Sequence, residues 1–586
     1  MSSKSKSKSK AKRPPVKQQA ATVETVAKQS RTEYIVVNII CLLVFLAFGY
    51  IALMSFFQTS VIDPTKYTSE HILFQNDILP LNILFTVLFI AFLFAMRRFY
   101  NFFARVNITA MEIGLAVFAV VLGLIWVFSV QSVPAADSYN VYEAASDAAI
   151  GQYKSMQDNT AFYNSAYYSG LSYFHFYPFQ LGYVAFSELI YRIFGDSYNV
   201  MQIINVLCVG ASYFALARMT RLLFKRKSIE FIAILLLALC LQPILFTPFM
   251  YGNIPGMCAA VWASLLLIKY FQTGSYRWAA IGGVLLIVSV LVKYNNMIYL
   301  VAFVIMLVLH IIKEKKWQSA VIAAALIAST LLSSTLVTAH YESRSGTDFE
   351  SGVSQTLYLD MGLQESYMAP GWYTGIAKDT YLKSFLEPKL KNGLDVDISA
   401  AEDKAKEDID KRMEKFGEDF DYTLDFFSKK ILSQWNEPTF ESIWVSKVKN
   451  HVASEEQQNR FHTKTIDSGQ VDGLAQSVYY KSTGQMLELH FSFYMQMLYV
   501  MFAAGIYLLF INKKTNIETV LLPLVIMGGF GYHLLFEGKS QYILTYIPLF
   551  IPTAAYAFNT MICGRYERIK RFFARFKSVP DRFNEI

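Results

Sequence analysis

Charged residues are scarce in this sequence. Only 17% of the 586 residues are Asp, Glu, Lys or Arg, whereas 54% are hydrophobic and the mean hydropathy is positive. A soluble core of this length cannot use so many apolar residues. The composition therefore excludes an ordinary soluble protein and indicates a polytopic membrane protein.

Cysteine is also rare, and it is absent from the polar loops. The five cysteines lie in apolar stretches or at the end of one, which predicts neither a disulfide framework nor a thiolate metal site. The histidines of the long polar loops show no metal-ligand spacing and more often serve as polar residues near a membrane surface. We therefore predict no metal site and no cofactor, and the sequence leaves dependence on a divalent metal open.

Apolar stretches of spanning length predict an all-α protein with about twelve transmembrane helices. An even number of spans puts both ends of the chain on one side of the membrane. The predicted spans are Tyr34–Phe57, Leu79–Met96, Thr109–Val130, Asn199–Leu222, Ile229–Phe249, Ile254–Phe271, Trp278–Val292, Met297–Ile312, Trp317–Ala339, His490–Ile511, Ile517–Phe536 and Tyr542–Ile562.

Basic residues fix the predicted orientation. Arg and Lys collect in the short loops around Arg97, Arg218 to Lys227, Lys313 to Lys316 and Lys513, and at both chain ends, all on one side. The positive-inside rule makes this side the cytoplasm of a cell membrane, so both termini are predicted to be cytoplasmic. The predicted division is a disordered basic tail (1–33), an extra N-terminal transmembrane hairpin (34–108), a membrane core (109–339) with an outer loop (131–198), an extracytoplasmic region (340–488), C-terminal transmembrane helices (489–563) and a basic tail (564–586).

The apolar segment from Pro178 to Phe194 tests this topology. Counted as a thirteenth span, it would move the basic residues Arg218 to Lys227 outside and invert every later loop. Glu188 and Arg192 stand at i, i+4 spacing within it, which is typical of an amphipathic helix at the interface. We therefore predict that this segment lies in the outer interface.

The first long outer loop contains carboxylates directly after an apolar helix. Asp137 follows the predicted span after Pro134, and Glu143 and Asp147 stand further along the loop. An ionisable residue at such a place indicates function, although a lone Asp can also cap the following helix. The loop then runs through the aromatic stretch Tyr163 to Tyr177, and this combination predicts a catalytic loop on the outer membrane surface.

The two predicted faces of the membrane differ in their chemistry. The cytoplasmic loops contain no acidic cluster that holds the magnesium of a nucleotide, and the chain has no phosphate-binding glycine loop. Soluble nucleotide donors and nucleic acid are therefore excluded as partners. The outer loops are rich in carboxylates and aromatic residues, which suits a carbohydrate, although interfacial anchoring also explains most such rings.

Four stretches of the chain form a recognisable set. They are Asp137-Ser-Tyr-Asn-Val-Tyr, the segment from Tyr177-Pro-Phe-Gln-Leu-Gly to Phe194-Gly195, Val292-Lys293-Tyr-Asn-Asn-Met-Ile, and Gln541-Tyr-Ile-Leu-Thr-Tyr-Ile-Pro548. In their order and placement they resemble the GT-C superfamily of membrane glycosyltransferases, in the bacterial branch related to protein mannosyltransferases and aminoarabinose transferases. The likeness covers about Thr109 to Cys563. A further segment, Gln434-Trp-Asn-Glu-Pro-Thr-Phe-Glu-Ser-Ile-Trp444, resembles members from Gram-positive bacteria.

The resemblance implies a GT-C fold with interfacial helices in the first long outer loop. It also implies transfer of a sugar from a polyprenyl-phosphate donor to an extracytoplasmic acceptor, with a loop carboxylate as the general base. Membrane lipids and a glycan or protein acceptor are the implied partners. The implied site residues are Asp137 as base, Asp147 and Glu143 as acceptor or loop-supporting carboxylates, Lys293, Lys539 and Arg344 at the donor phosphate, and Tyr139, Tyr177, Trp372 and Trp435 as substrate-surface aromatics.

The sequence departs from the family in three respects. The hairpin before the core is extra, Asp137 is followed by Ser where many relatives have a second acid, and Lys293 is followed by Tyr where relatives often have Pro. A single acid holds a divalent cation poorly, which leaves metal dependence and the donor chemistry open. The lysines at helix ends have an ordinary alternative as well, because such side chains often reach to lipid headgroups.

A transporter, a flippase or a ligase of lipid-linked glycans is the alternative function. A coupled carrier requires charges at mid-bilayer and paired halves, and neither is evident here, although Gly282-Gly283, Gly528-Gly529 and Gln242-Pro243 offer breaks in the helices. The sequence names neither the sugar nor the acceptor, for which teichoic acid, another cell-wall polysaccharide, a glycolipid and a protein hydroxyl all fit. It does not give the oligomeric state or the role of the extra hairpin.

Overall fold

The computed structural model describes residues 30–63, 70–98, 107–134, 136–157, 172–349, 352–392, 397–451 and 473–574. Most of both predicted tails, residues 158–171 of the outer loop and residues 452–472 of the 340–488 region lie outside these ranges. Within them the protein is an all-α membrane protein, with a single two-stranded antiparallel sheet among the described residues.

The helices and strands of the N-terminal half follow the predicted spans closely. Asn107 caps the third helix by accepting a hydrogen bond from the Thr109 amide at 2.9 Å, which explains why this helix begins there. The elements are α1 (Arg31–Met54), β1 (Gln58–Ile62), β2 (Ile72–Asn76), α2 (Leu79–Arg98), α3 (Ile108–Val130), α4 (Asp137–Ala149), α5 (Lys154–Gln157), α6 (Tyr173–Phe176), α7 (Leu181–Phe194), α8 (Tyr198–Phe224), α9 (Lys227–Leu239), α10 (Gln242–Leu245), α11 (Asn253–Thr273), α12 (Tyr276–Val292), α13 (Met297–Glu314) and α14 (Gln318–Ser345).

The C-terminal half begins with the helices of the 340–488 region and returns to long apolar helices. Asn516 forms a capping box with Thr519 at the start of the second of these. The elements are α15 (Gln355–Leu363), α16 (Gly375–Asn392), α17 (Ile398–Glu418), α18 (Phe420–Trp435), α19 (Trp444–His451), α20 (Leu474–Tyr480), α21 (Ser482–Ile511), α22 (Ile517–Leu535), α23 (Ser540–Ile543) and α24 (Ile547–Ala574), with short 3-10 turns at Pro178–Gln180, Tyr294–Asn296 and Leu544–Tyr546.

Nine helical segments among the described residues are long and apolar enough to cross a membrane, and two shorter apolar helices cover Leu79–Phe92 and Tyr276–Val292. Each of the twelve predicted spans coincides with a helix or a run of helices, but the count of twelve crossings stays a prediction. The span predicted over Ile229–Phe249 is broken, because α9 ends at Leu239 and the short α10 carries Pro243.

Helix α7 contains most of the segment that the sequence places at the interface. Its 14 residues rise about 21 Å, which is short of the ~30 Å hydrocarbon core. Arg192 and Glu188 form the predicted ion pair at 2.7 Å, and the Tyr341 hydroxyl donates to the other Glu188 oxygen at 2.6 Å. Gly182 lies against the Leu291 carbonyl, where any side chain would collide. These contacts attach α7 to α12 and α14.

The N-terminal hairpin is packed into the core. Phe48 of α1 lies 5.1 Å from Phe550 and 5.2 Å from Trp435, measured between ring centroids. The Ser60 amide of β1 donates to the Asn436 carbonyl at 3.1 Å. The hairpin therefore contacts both the membrane helices and the 340–488 region.

The 340–488 region rests on one end of the helix bundle. The Lys430 amine of α18 donates to the carbonyls of Gly362 and of Phe536, the latter at 3.0 Å, and so joins this region to the end of α22. The Glu537 amide donates to the Tyr358 carbonyl at 2.7 Å, and the Val353 amide donates to the Phe176 carbonyl at 2.9 Å. These bonds leave a cavity between the region and the bundle.

Candidate active site

The cavity between the 340–488 region and the bundle, called the central cavity here, has a volume of about 320 Å³. Aromatic rings form much of its wall. Its charged groups come from distant parts of the chain, and they are Glu70, Asp137, Lys293, Lys378, Glu537 and Lys539. Three of these, Asp137, Lys293 and Lys539, are site residues that the sequence predicts, and the predicted Tyr177 also lines the cavity.

Asp137 stands at the start of α4, with its half-buried side chain lining the central cavity. The helix N-terminus favours a negative charge at this position. The preceding Ala136 has φ 50° and ψ −133°, a conformation that L-residues rarely adopt and that often accompanies a functional site. Local backbone geometry therefore places a carboxylate in the cavity wall.

Tyr251 is the residue that connects the predicted base to its surroundings. Its hydroxyl donates to Asp137 Oδ2 at 3.3 Å and accepts a hydrogen bond from Gln180 Nε2 at 2.7 Å. Burial raises the pKa of Tyr251 well above its ordinary value, and the Asp137 charge acts in the same direction. The tyrosine therefore stays protonated and acts as a hydrogen-bond donor to the carboxylate.

Lys293 stands at the end of α12, on the other side of the Tyr251 ring. Its amine lies 4.0 Å from the ring centroid of Tyr251 and 5.9 Å from that of Tyr542, a cation–π arrangement. Burial lowers the pKa of Lys293 to about 7, while the carboxylates of Asp137 and Glu537 act in the opposite direction. The Tyr251 ring therefore joins the predicted base and the predicted phosphate-binding cation in one unit.

Lys539 lies in the same cavity but has a carboxylate partner. Its amine forms a salt bridge with Glu70, and both side chains are almost completely covered. Burial lowers its pKa, but the charges of Glu70, Glu441 and Glu537 more than compensate and hold the pKa above its ordinary value. Lys539 is therefore a cation whose charge is already offset within the protein.

Lys378 is a third lysine of the central cavity, and the sequence does not single it out. It belongs to α16, and its amine lies 5.6 Å from the ring centroid of Tyr373 and 6.0 Å from that of Tyr177. Burial lowers the pKa of Lys378, with Asp137 opposing this effect. The only sequence signal is a basic residue after the Tyr-Thr-Gly stretch, which many surface helices share.

The remaining predicted site residues lie outside the cavity lining. Tyr139 donates to Glu143 at 2.7 Å along α4, and Asp147 accepts from the Ser155 amide at 3.3 Å, so these carboxylates support the loop in this structure. Arg344 is exposed and donates to the Tyr153 hydroxyl at 3.0 Å.

Two of the predicted substrate-surface aromatics are buried. Trp372 is 0% exposed and donates to the Ser433 hydroxyl at 2.8 Å, while Trp435 is 1% exposed and packs on Phe48. Trp372 packs with Ile72 of the two-stranded sheet, and Trp435 packs on Phe530 and Phe550 of the membrane helices, so neither indole lines the central cavity. The indole that does line the central cavity is Trp444.

A second cavity, of about 200 Å³, lies beside the central cavity and is called the lipid-side groove here. Phe179 and Tyr294 line both cavities. The other walls of the groove come from α7, α12, α13 and α14 and include Leu181, Leu291 and the hydroxyl residue Thr330. The central cavity thus contains charged groups, whereas no charged side chain lines the groove among the described residues.

Metal binding has no visible basis in the described part of the chain, where no three His, Cys, Asp or Glu side chains are grouped to hold an ion. The predicted lack of a cofactor stays a prediction.

Comparison with known sequences identifies two segments of the chain. Residues 181–335 match the family described as dolichyl-phosphate-mannose-protein mannosyltransferase, which is of the GT-C type. Residues 403–562 match a family described as conserved hypothetical integral membrane protein. No curated protein matches the chain. The first match contains Tyr251 and Lys293, and it supports the resemblance to membrane glycosyltransferases of the GT-C type.

Proposed function

We propose that the chain transfers a sugar from a polyprenyl-phosphate donor to a hydroxyl acceptor at the membrane face covered by the 340–488 region. The sequence predicts that this face is extracytoplasmic. One observation carries the proposal: the Asp137 carboxylate and the Lys293 amine line one cavity and both contact Tyr251, the carboxylate at its hydroxyl and the amine at its ring. A base and a phosphate-binding cation are the two groups that such a transfer requires.

The proposed reaction is a single displacement. The acceptor oxygen attacks the anomeric carbon and its proton passes to the Asp137 carboxylate, while the bond between the anomeric carbon and the phosphate oxygen breaks. The electron pair of that bond leaves with the polyprenyl phosphate. Lys293 compensates the charge on the phosphate, and Lys378 adds a second cation from the opposite wall. Preorganised charges of this kind act where charge develops in the transition state.

The lipid-side groove supports a donor with a long apolar chain. It meets the central cavity at Phe179 and Tyr294, so a phosphate near Lys293 has an aliphatic surface next to it. A soluble sugar phosphate has no apolar chain to bury against that surface, whereas a polyprenyl donor has one. This arrangement supports a phosphate site at the boundary between the charged central cavity and the uncharged groove.

The aromatic lining of the central cavity supports a carbohydrate in the site. Tyr177, Tyr373 and Trp444 present large flat side chains next to charged groups. Such rings combine an apolar face with a polar edge, which suits a sugar ring with its hydroxyl groups. A cell-wall polysaccharide, a teichoic acid, a glycolipid and a protein hydroxyl are the acceptor classes to compare.

The test is transfer by the purified protein in liposomes. Polyprenyl-phosphate sugars with a labelled sugar are supplied with each acceptor class, and the label is followed into the acceptor and across the bilayer. We expect label in an acceptor with the wild-type protein and none with Asp137→Asn. Movement of the labelled headgroup across the bilayer without transfer would contradict the proposal and favour a flippase.

A further inference from the structure

We propose that the extra N-terminal hairpin completes the central cavity through Glu70, a positioning residue that holds Lys539 and offsets its charge toward the donor phosphate. The proposal rests on the proposed function, because it concerns binding of the same phosphate. It gives a role to a part of the chain, residues 34–108, that has no counterpart in the family which the sequence resembles.

Glu70 is held by the 340–488 region on the side opposite the membrane helices. The next residue, His71, has its Nδ1 atom 2.7 Å from the Tyr367 carbonyl, and its ring stacks on Tyr367 at 5.0 Å between centroids. The Ile72 amide donates to the Met368 carbonyl at 2.9 Å, and Ile72 pairs with Ile62 in the two-stranded sheet. The backbone that follows Glu70 is therefore fixed at the rim of the central cavity.

Lys539 is fixed from the other side. It stands at the start of α23, and the residue before it, Gly538, donates its amide to the Gly371 carbonyl at 3.1 Å. The next residue, Ser540, donates its hydroxyl to Glu441 at 3.1 Å. With the backbones on both sides held, the Glu70–Lys539 salt bridge joins three separate parts of the chain at the cavity wall.

Three carboxylates lie near Lys539, and Glu70 is the one that pairs with it directly. Glu441 and Glu537 are also near and act on the pKa of Lys539 through their charges. An ion pair presents much less net charge to a third group than a lone cation does. Removing the Glu70 charge would therefore expose the donor phosphate to an uncompensated Lys539.

The experiment measures binding of a polyprenyl monophosphate to the full-length protein in nanodiscs, with the uncharged polyprenol as matched ligand. The variants are Glu70→Gln, Glu70→Asp, Lys539→Met and the double variant Glu70→Gln/Lys539→Met, which removes both charges of the pair. Glu365→Gln is the matched control, because Glu365 is an exposed carboxylate of the 340–488 region and does not line the central cavity.

We expect Glu70→Gln to bind polyprenyl phosphate about three- to tenfold more tightly than wild type, an effect of the size of one ordinary net polar interaction. Glu70→Asp should change binding less, since it keeps the charge. Lys539→Met should weaken phosphate binding, because it leaves the Glu70 carboxylate unpaired, and the double variant should bind the phosphate about as tightly as wild type. Polyprenol binding should not change in any variant.

Weaker or unchanged phosphate binding by Glu70→Gln would overturn the inference, as would an equal effect on polyprenol. If Glu70→Gln does not fold, Lys539→Met and the double variant decide the same question, because weaker binding by the first and recovery in the second require that the two charges offset each other. Failure of the wild-type protein itself to bind polyprenyl phosphate would instead overturn the proposed function, and this inference would fall with it.

Discussion

The two matched segments of the chain form different parts of the wall of one cavity. Residues 181–335, which match the mannosyltransferase family, contribute Tyr251, Lys293 and Tyr294. Residues 403–562, which match a family of hypothetical membrane proteins, contribute Trp444, Glu537 and Lys539. Asp137, Lys378 and Glu70 come from neither segment. The family match alone therefore identifies one wall of the site, and the structure is needed to add the other.

The lysines of the two segments also differ in their direct neighbours. Lys293 lies against the face of Tyr251, which leaves its charge without a direct carboxylate salt bridge in the structure. Lys539 is in a salt bridge with Glu70. A cation on an aromatic face keeps more of its charge for an incoming phosphate than a cation in an ion pair does. We therefore assign donor binding mainly to the first wall, and the following predictions test this asymmetry.

The largest effect is expected for Asp137→Asn. The amide keeps the size of the side chain and can still accept from Tyr251, but it cannot take a proton from the acceptor. We expect transfer to fall by about a hundredfold or more, as is usual when a general base is lost. The initial rate at saturating donor and acceptor is the measurement.

Asp147→Asn is the matched control for this variant. Asp147 is in the same helix and accepts only a backbone hydrogen bond from Ser155 among the contacts seen here. Its replacement should leave most of the activity. Equal rates for the two variants, or more than about a tenth of the wild-type rate for Asp137→Asn, would contradict the base assignment.

Of the charged residues that line the central cavity, the sequence singles out Asp137, Lys293 and Lys539 and does not single out Glu70, Lys378 and Glu537, and the roles given to the first three stay predictions. Asp137 and Lys293 could be predicted because each follows the end of an apolar helix, a position where an ionisable residue indicates a function. Tyr251 could not, because a tyrosine after an apolar stretch is typical of any membrane interface. Glu70 and Lys378 reach the cavity only through tertiary contacts between segments far apart in the chain.

The agreement between predicted and observed helix ends also differs from one helix to another. The predicted Thr109–Val130 and observed Ile108–Val130 agree because apolar length decides both ends. The span predicted to begin at His490 begins at Ser482, since its first two turns are polar and project toward the 340–488 region. Trp372 and Trp435 were expected at the substrate surface, and aromatic composition alone does not distinguish that surface from a buried interface.

The second effect concerns Lys293. Lys293→Ala should raise the donor KM about tenfold or more, because a charged contact to the phosphate is lost. Its pKa of about 7 adds a pH dependence: the protonated, phosphate-binding form decreases as the pH rises through 7, so the wild-type donor KM should increase from pH 6 to pH 8. The phosphodiester of the donor keeps its charge over this range.

Lys293→Arg tests whether the pH dependence of the donor KM comes from loss of the lysine proton. Arginine stays protonated throughout, so this variant should retain part of the donor affinity and lose the rise in KM. Donor titrations at several pH values, with the protein in one lipid composition, give the answer. An unchanged donor KM for Lys293→Ala would contradict the phosphate role and indicate that Lys293 is a headgroup anchor.

A smaller effect is expected for Tyr251→Phe. The variant keeps the ring under Lys293 but loses the hydroxyl that links Gln180 to Asp137. One hydrogen bond to a charged group corresponds to about a fivefold or larger loss, which should fall on kcat with little change in the donor KM. Tyr251→Leu removes the ring as well and should also raise the donor KM. If Tyr251→Phe raised the donor KM as much as Tyr251→Leu does, the proposed separation of the two roles would be wrong.

The smallest effect is expected for Lys378→Met, which tests the contribution of the 340–488 region to the donor site. Its amine lies near Tyr373 and Tyr177 in the central cavity, so its loss should raise the donor KM about two- to fivefold, the range for a partly exposed charge. Arg344→Met is the matched control, because Arg344 is exposed and outside the cavity lining, and it should leave the KM unchanged. Equal donor KM values for the two variants would indicate that Lys378 does not contribute and that the donor binds at Tyr251 and Lys293 alone. A larger effect for Lys378→Met than for Lys293→Ala would reverse the asymmetry and move the phosphate toward the 340–488 region.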